Sequence, residues 1–179
     1  MTVDDNTLLK MLASPETKRK AFGLIVSQYS EMLYWKIRHF VLYHEDADDV
    51  MQNVLMKAWM NIDRFKADSK ISTWLYSIAV NESLDFLRCK KNVADADADL
   101  YAARHLMADE YFDGDATEAL LQEAIARLPD MQRTVFLLRY YDEMKYSEMS
   151  KMLERTEGAL KANYHIAAQK VLDYIKHRD

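Results

Sequence analysis

The run Phe65-Lys66-Ala67-Asp68-Ser69-Lys70-Ile71 carries residues suited to gripping a nucleic-acid strand rather than to breaking a bond. An aromatic ring stands at one edge, with lysines and short polar groups inside. A short loop of this kind between rigid helices can hold an extruded base, stacking it on the ring and reading its edge with polar groups. Trp74, Asn81, Arg88, Lys90 and Lys91 follow closely. Asn is a poor helix former, so Asn81 in mid-helix implies a use for its amide. Upstream, Asp46, Asp48 and Asp49 crowd together, followed by Gln52 and Asn53. Asp46 and Asp49 share a helical face, but no His or further carboxylate arrives to complete a shell, so no catalytic metal is expected. Gly-rich phosphate loops, nucleophile elbows and paired-histidine motifs are missing, which argues against an enzyme and gives no reason to expect a cofactor.

Two amphipathic helices joined by that loop must position these groups. In the first, Val50, Val54, Leu55, Ala58, Trp59 and Ile62 form the core-facing stripe. Its acidic first turn suits the positive end of the helix dipole. Gln52, Asn53, Lys57 and Asn61 make a polar face, either an ordinary wet surface or a protein-docking face; spacing alone does not choose. In the second helix the stripe is Trp74, Leu75, Ile78, Ala79 and Phe86. Ser72 or Thr73 is placed to cap its start, and Arg88, Lys90 and Lys91 close its end. Before both, Phe22, Ile25, Val26, Tyr29, Met32, Leu33 and Ile37 keep helical spacing, and Ser14-Pro15-Glu16 reads as a helix start. Lys18, Arg19 and Lys20 read as a solvated face. Trp35, Phe40 and Trp74 read as core.

The chain has 179 residues, half of them apolar by the broad count and 30% charged, a globular composition of one ordinary domain or two small ones. Three Gly and two Pro, without alternating apolar runs, predict an all-α protein. The single cysteine, Cys89, excludes an internal disulfide and a cysteine-based zinc cluster. No run approaches the ~20 apolar residues of a membrane span. Residues 1–12 carry acids where a signal peptide would carry bases, so a cytoplasmic location is expected, with no direct membrane insertion. The net charge is −5, unevenly spread. Residues 1–92 hold 13 bases and 12 acids, and residues 119–179 hold ten bases and nine acids. Residues 93–118 hold one base and eight acids. Each nearly neutral lobe can still present a local basic face.

The expected division is therefore a first lobe over 1–92, an acidic linker over 93–117 and a second lobe over 118–179. The linker's Leu100, Tyr101, Leu106, Met107, Tyr111 and Phe112 suit docking on a partner. In the second lobe, Thr117 is a possible cap, and Leu120, Leu121, Ala124, Ile125 and Leu128 share one face. Pro129 starts another helix, with Val135, Phe136, Leu138 and Tyr140 as its apolar set. Ser147 is read as the cap of a short helix and Thr156 as the cap of a longer one, with a tight turn at Glu154–Arg155 between them. That is a helix-turn-helix pattern. The second helix would offer Glu157, Lys161, Asn163, Tyr164 and His165 to a major groove, where Asn suits adenine and Lys suits guanine or phosphate.

Taken together, EDADDVMQNVLMKAW, FKADSKISTWLYSIAVNESLDFLR, LPDMQRTVFLLRYYDEMKYSEMSKML and GALKANYH resemble the extracytoplasmic-function (ECF) sigma factors, the short branch of the sigma-70 family. The resemblance runs from about Phe22 to Ile175 and leaves only the linker unmatched. It implies two helical domains, similar to sigma regions 2 and 4. It implies that Asp46, Asp49, Gln52 and Asn53 meet the β′ clamp helices of core RNA polymerase, with the β flap as a further partner. Phe65, Lys66, Ala67, Asp68, Ser69 and Lys70 would hold a base flipped from the −10 element. Trp74, Asn81, Arg88, Lys90 and Lys91 would melt and read −10 DNA. Arg155, Thr156, Glu157, Lys161, Asn163, Tyr164 and His165 would read the −35 element of promoter DNA. The linker would thread toward the RNA exit channel, and an anti-sigma factor, often membrane-anchored in relatives, is implied. Where that family often places basic residues, this chain has Asn163, Ile166, Ala168 and Gln169, which predicts weak DNA affinity without the polymerase. The competing class is a stand-alone helix-turn-helix regulator with an N-terminal sensing lobe.

Overall fold

The computed structural model describes residues 3–93, Ala103 and 114–178; the side chains of 90–93 and the apolar linker residues named above fall outside that description. The described residues are helical, without a strand. The chain divides into two compact units, Met1–Leu87 and Arg88–Asp179.

The first unit begins with α1 (Asp5–Leu12), capped by the Asp4 carboxylate on the Thr7 amide, and α2 (Pro15–Phe40), with Pro15 in the first turn after Ser14. Next come α3 (His44–Asn61), a tightened 3-10 turn (Ile62–Arg64) and α4 (Ile71–Val93). The core is the apolar stripe of each helix: Leu8, Ala21, Ile25, Leu33 and Ile37 with Ala47, Val50, Val54 and Ala58, and with Ile71, Leu75, Ala79 and Val80. Each fully buried Leu, Ile or Val contributes about 1.5–3 kcal/mol relative to exposure, which offsets the cost of ordering these helices.

Three expectations fail in this unit. Neither Ser72 nor Thr73 occupies the position before α4, because the helix starts at Ile71. The Ile71 amide instead donates to the Asp5 carboxylate at 3.0 Å, a cap delivered from α1. Nor are the tryptophans buried as read: Trp35 is 44% and Trp59 40% exposed. Trp59 makes an edge contact with Phe22 and carries the Lys18 ammonium over its ring, and Lys18 also pairs with Asp63. Lys18 is therefore not simply solvated; an ion pair and a ring hold it.

The second unit contains α5 (Ala116–Ala126), α6 (Asp130–Tyr140), α7 (Tyr146–Leu153) and α8 (Glu157–Lys176). Ile125, Leu128, Val135, Leu137, Leu138, Met149, Leu160, Ala167 and Val171 fill its core. Glu123 is buried but paired: it accepts from the Tyr174 hydroxyl at 2.6 Å and faces Arg127 and Arg178. Only such pairing makes a buried carboxylate tolerable. The caps are partly reassigned. Asp115, not Thr117, caps α5 through the Glu118 amide. Lys145, not Ser147, precedes α7, and the Glu148 carboxylate reaches back to accept the Lys145 amide at 3.1 Å. Thr156 caps α8 as expected, accepting from the Ala159 amide. Glu154 turns the chain between α7 and α8 in the left-handed region, at φ 53°. Tyr140, read as part of the apolar set, is 51% exposed.

Candidate nucleic-acid and protein interfaces

Helix α3 has two faces. Val50, Met51, Val54 and Ala58 are buried, while Asp49, Gln52 and Asn53 are exposed on the other side. Asp46 is half-buried. The exposed stripe continues into Met56 and Met60, which are 55% and 70% exposed. Two flexible apolar side chains beside acid and amide groups make a surface suited to another protein. Sequence reasoning named the polar part and passed over the methionines, although their spacing from Gln52 and Asn53 on one helix was available as a signal.

Beyond α3 the chain turns outward. Lys66, Ala67, Asp68, Ser69 and Lys70 are all exposed. Ala67 holds φ 58°, a left-handed conformation that disfavours a Cβ. Phe65 is half-buried and packs on Trp74, ring centroids 5.0 Å apart and planes 32° apart. Trp74 in turn lines an open cleft of about 550 Å³ with Lys57, Asn61, Arg64, Ile78, Asn81, Glu82 and Asp85. The cleft thus joins predicted Trp74 and Asn81 to Arg64, which sequence reasoning did not single out. Its charge is mixed, because Lys57 pairs with Glu82 across α3 and α4. Arg88 is exposed further along α4. Lys90 and Lys91 continue the helical backbone, with side chains outside the described residues.

In the second unit α7, the Glu154 turn and α8 form a helix-turn-helix. Buried Leu160, Ala167 and Val171 anchor α8. Arg155, Thr156, Glu157, Lys161 and His165 are exposed. Lys161 pairs with Glu157 at 3.8 Å and lies over the Tyr146 ring. Asn163 and Tyr164 are half-buried. The Asn163 amide donates to the Ala159 carbonyl at 2.8 Å, and Tyr164 stacks on Phe136 with centroids 5.9 Å apart. Gly158, Ala162 and Ile166 are also exposed on α8 and form an uncharged patch, of which the sequence pattern marks Ile166 alone.

These two units match known families. Residues 25–93 match sigma-70 region 2, and residues 118–171 match sigma-70 region 4, together more than half of the chain. The chain belongs to the sigma-70 family. Within that family it is an RNA polymerase sigma factor of the ECF type. It is 33% identical over 156 residues to the ECF sigma factor SigW of Bacillus subtilis, covering 81% of this chain and 83% of that one. It is 26% identical over 164 residues to the sigma-H factor of Pseudomonas aeruginosa, covering 86% and 85% respectively. Among solved structures, CnrH in complex with the cytosolic domain of CnrY matches 98% of this chain with a TM-score of 0.68 at 23% identity. The sigma factor RpoE in complex with the anti-sigma factor NepR from Bartonella quintana matches 88% with a TM-score of 0.65 at 20% identity. The latter two likenesses concern the fold. For the sigma factor described here, no described helix is long and apolar enough to cross a membrane.

Proposed function

We propose that this sigma factor acts through three surfaces, two on the lobe 1–92 and one on the lobe 118–179, with 93–117 as the linker between the lobes. The exposed stripe of α3, with Asp49, Gln52, Asn53, Met56 and Met60 and with Asp46 at its edge, docks on the β′ clamp helices of core polymerase. The loop Phe65–Lys70 captures a base of the −10 element, and Trp74, Asn81, Arg88, Lys90 and Lys91 serve the melted strand beside it. The Glu154 turn sets α8 into the −35 major groove, with Arg155, Thr156, Glu157, Lys161 and His165 facing the DNA. Asn163 and Tyr164 join them by giving up their present intramolecular contacts, while region 4 also meets the β flap. The acidic segment bridges the two lobes. The observation that carries this reading is the order on one small body: an exposed protein-docking stripe followed at once by an exposed, lysine-bearing loop. Such a chain has no chemistry of its own; it supplies specificity to a machine that has. An anti-sigma protein is a further proposed partner, supported by the solved complexes of the similar fold.

The test is the double change Asp49→Arg with Gln52→Ala, both on exposed positions. Affinity for core polymerase is expected to fall at least about tenfold, ~1.4 kcal/mol, with an unchanged melting temperature. Promoter-dependent transcription equal to wild type would remove α3 as the docking face.

A further inference from the structure

Helix α1 lies outside the matched sigma region, which begins at residue 25, yet it reaches the base-capture loop. The Ile71 amide donates to Asp5 Oδ2 at 3.0 Å, across 66 residues of sequence. Ile71 is the first residue of α4, fully buried, and the point where the loop re-enters the helix. Its amide is among the first four N–H groups of a helix, which have no partner within it. Asp5 is itself held. The Tyr29 hydroxyl donates to Asp5 Oδ1 at 3.1 Å, and the Gln28 amide donates to the Tyr29 oxygen at 3.0 Å. Gln28 also brackets Val3, accepting from its amide and donating to its carbonyl. Leu8, fully buried, seats α1 against α2. The other end of the loop is tied differently, by the Phe65 amide on the Ile62 carbonyl and by the Phe65–Trp74 ring contact.

We propose that Asp5 is a positioning residue for promoter melting: its carboxylate fixes where the loop Phe65–Lys70 ends, and so how firmly the loop holds a −10 base. This rests on the loop reading given above. Asp5 touches neither DNA nor polymerase in this scheme; it acts through Ile71. Among the described residues, the bonds of Asp5 run to Ile71 and Tyr29 and away from Asp49, Gln52 and Asn53, so core binding is expected to be unaffected by its loss.

The experiment compares Asp5→Ala, Asp5→Asn and Phe65→Ala in the full chain. Each variant is assembled with core polymerase on a fork-junction DNA carrying the −10 bases of a promoter mapped with the wild-type protein. Asp5→Ala should bind core polymerase as wild type but hold the fork-junction DNA about fivefold more weakly, the factor given by losing an ordinary cap. Exchange of the Ile71 amide should speed up by about the same factor in Asp5→Ala. Asp5→Asn keeps an acceptor oxygen and should restore both. The proposal is overturned by unchanged Ile71 exchange, by an Asn variant as defective as Ala, or by a parallel loss of core affinity. If Phe65→Ala alone weakens DNA holding, the loop reading stands and the role of Asp5 falls. If neither Phe65→Ala nor Asp5→Ala does so, the loop reading itself fails.

Discussion

Tyr141 shows how one side chain ties the second unit to pH. Its hydroxyl donates to Glu118 at 2.7 Å and accepts from Gln122 at 2.8 Å. Burial first, then the Glu118 carboxylate, push its ionisation well above the ordinary tyrosine value. The folded protein therefore keeps a proton that the unfolded chain releases near about pH 10, and stability falls as pH rises above that value. Below about pH 10 the contribution is fully present. Tyr141→Phe is expected to lose about 1 kcal/mol at neutral pH and to show a shallower fall in alkali. Urea unfolding followed at neutral and alkaline pH checks this; an identical alkaline slope in the two proteins would contradict it. Tyr29 is raised in the same direction, by burial and then by Asp5, and leaves a residual slope.

At the level of the helix, start signals decide how accurately a surface is aimed. Thr156 both ends the turn and caps α8, so its side chain sets the direction in which Glu157 and Lys161 project. Thr156→Ala is expected to cost about 1 kcal/mol, within the usual 0.5–2 range for a lost cap, and to lower −35-dependent transcription more than core binding. Thermal melting and run-off assays on −35-containing and −35-deleted templates measure the two effects; equal losses on both templates would oppose the idea. Thr156 was legible because it stands directly before the helix, in the preferred position for its type. The starts of α5 and α7 were less so. Thr117 and Ser147 are good capping types two residues too late, and Asp115 and the Glu148 back-bond serve instead. Several hydroxyl or carboxyl residues within one turn compete for the role, and only backbone geometry selects among them.

On the scale of the whole chain, the near-neutral lobes and the acid-rich middle predict that specificity is assembled rather than intrinsic. Lys161 is partly committed to Glu157, and Lys57 to Glu82, which leaves fewer cations for phosphates. The isolated sigma factor is expected to bind promoter DNA weakly and with a shallow salt dependence, and to give promoter-dependent transcripts only with core polymerase. Anisotropy titrations at two salt concentrations, beside run-off transcription, examine this. Tight sequence-specific binding by the protein alone would instead favour a stand-alone regulator.

The all-helical architecture, the order of its apolar stripes and the helix-turn-helix were determined by the sequence itself. Each is a pattern carried by residues within a few positions of one another, and the 3.6-residue period makes it visible. The tertiary structure alone decided that Asp5 would cap α4, that Trp59 would stand at the surface under Lys18, and that Tyr164 would stack on Phe136. Those pairings join residues far apart in the chain. Which distant partner a side chain meets depends on how helices pack, and no local spacing encodes it.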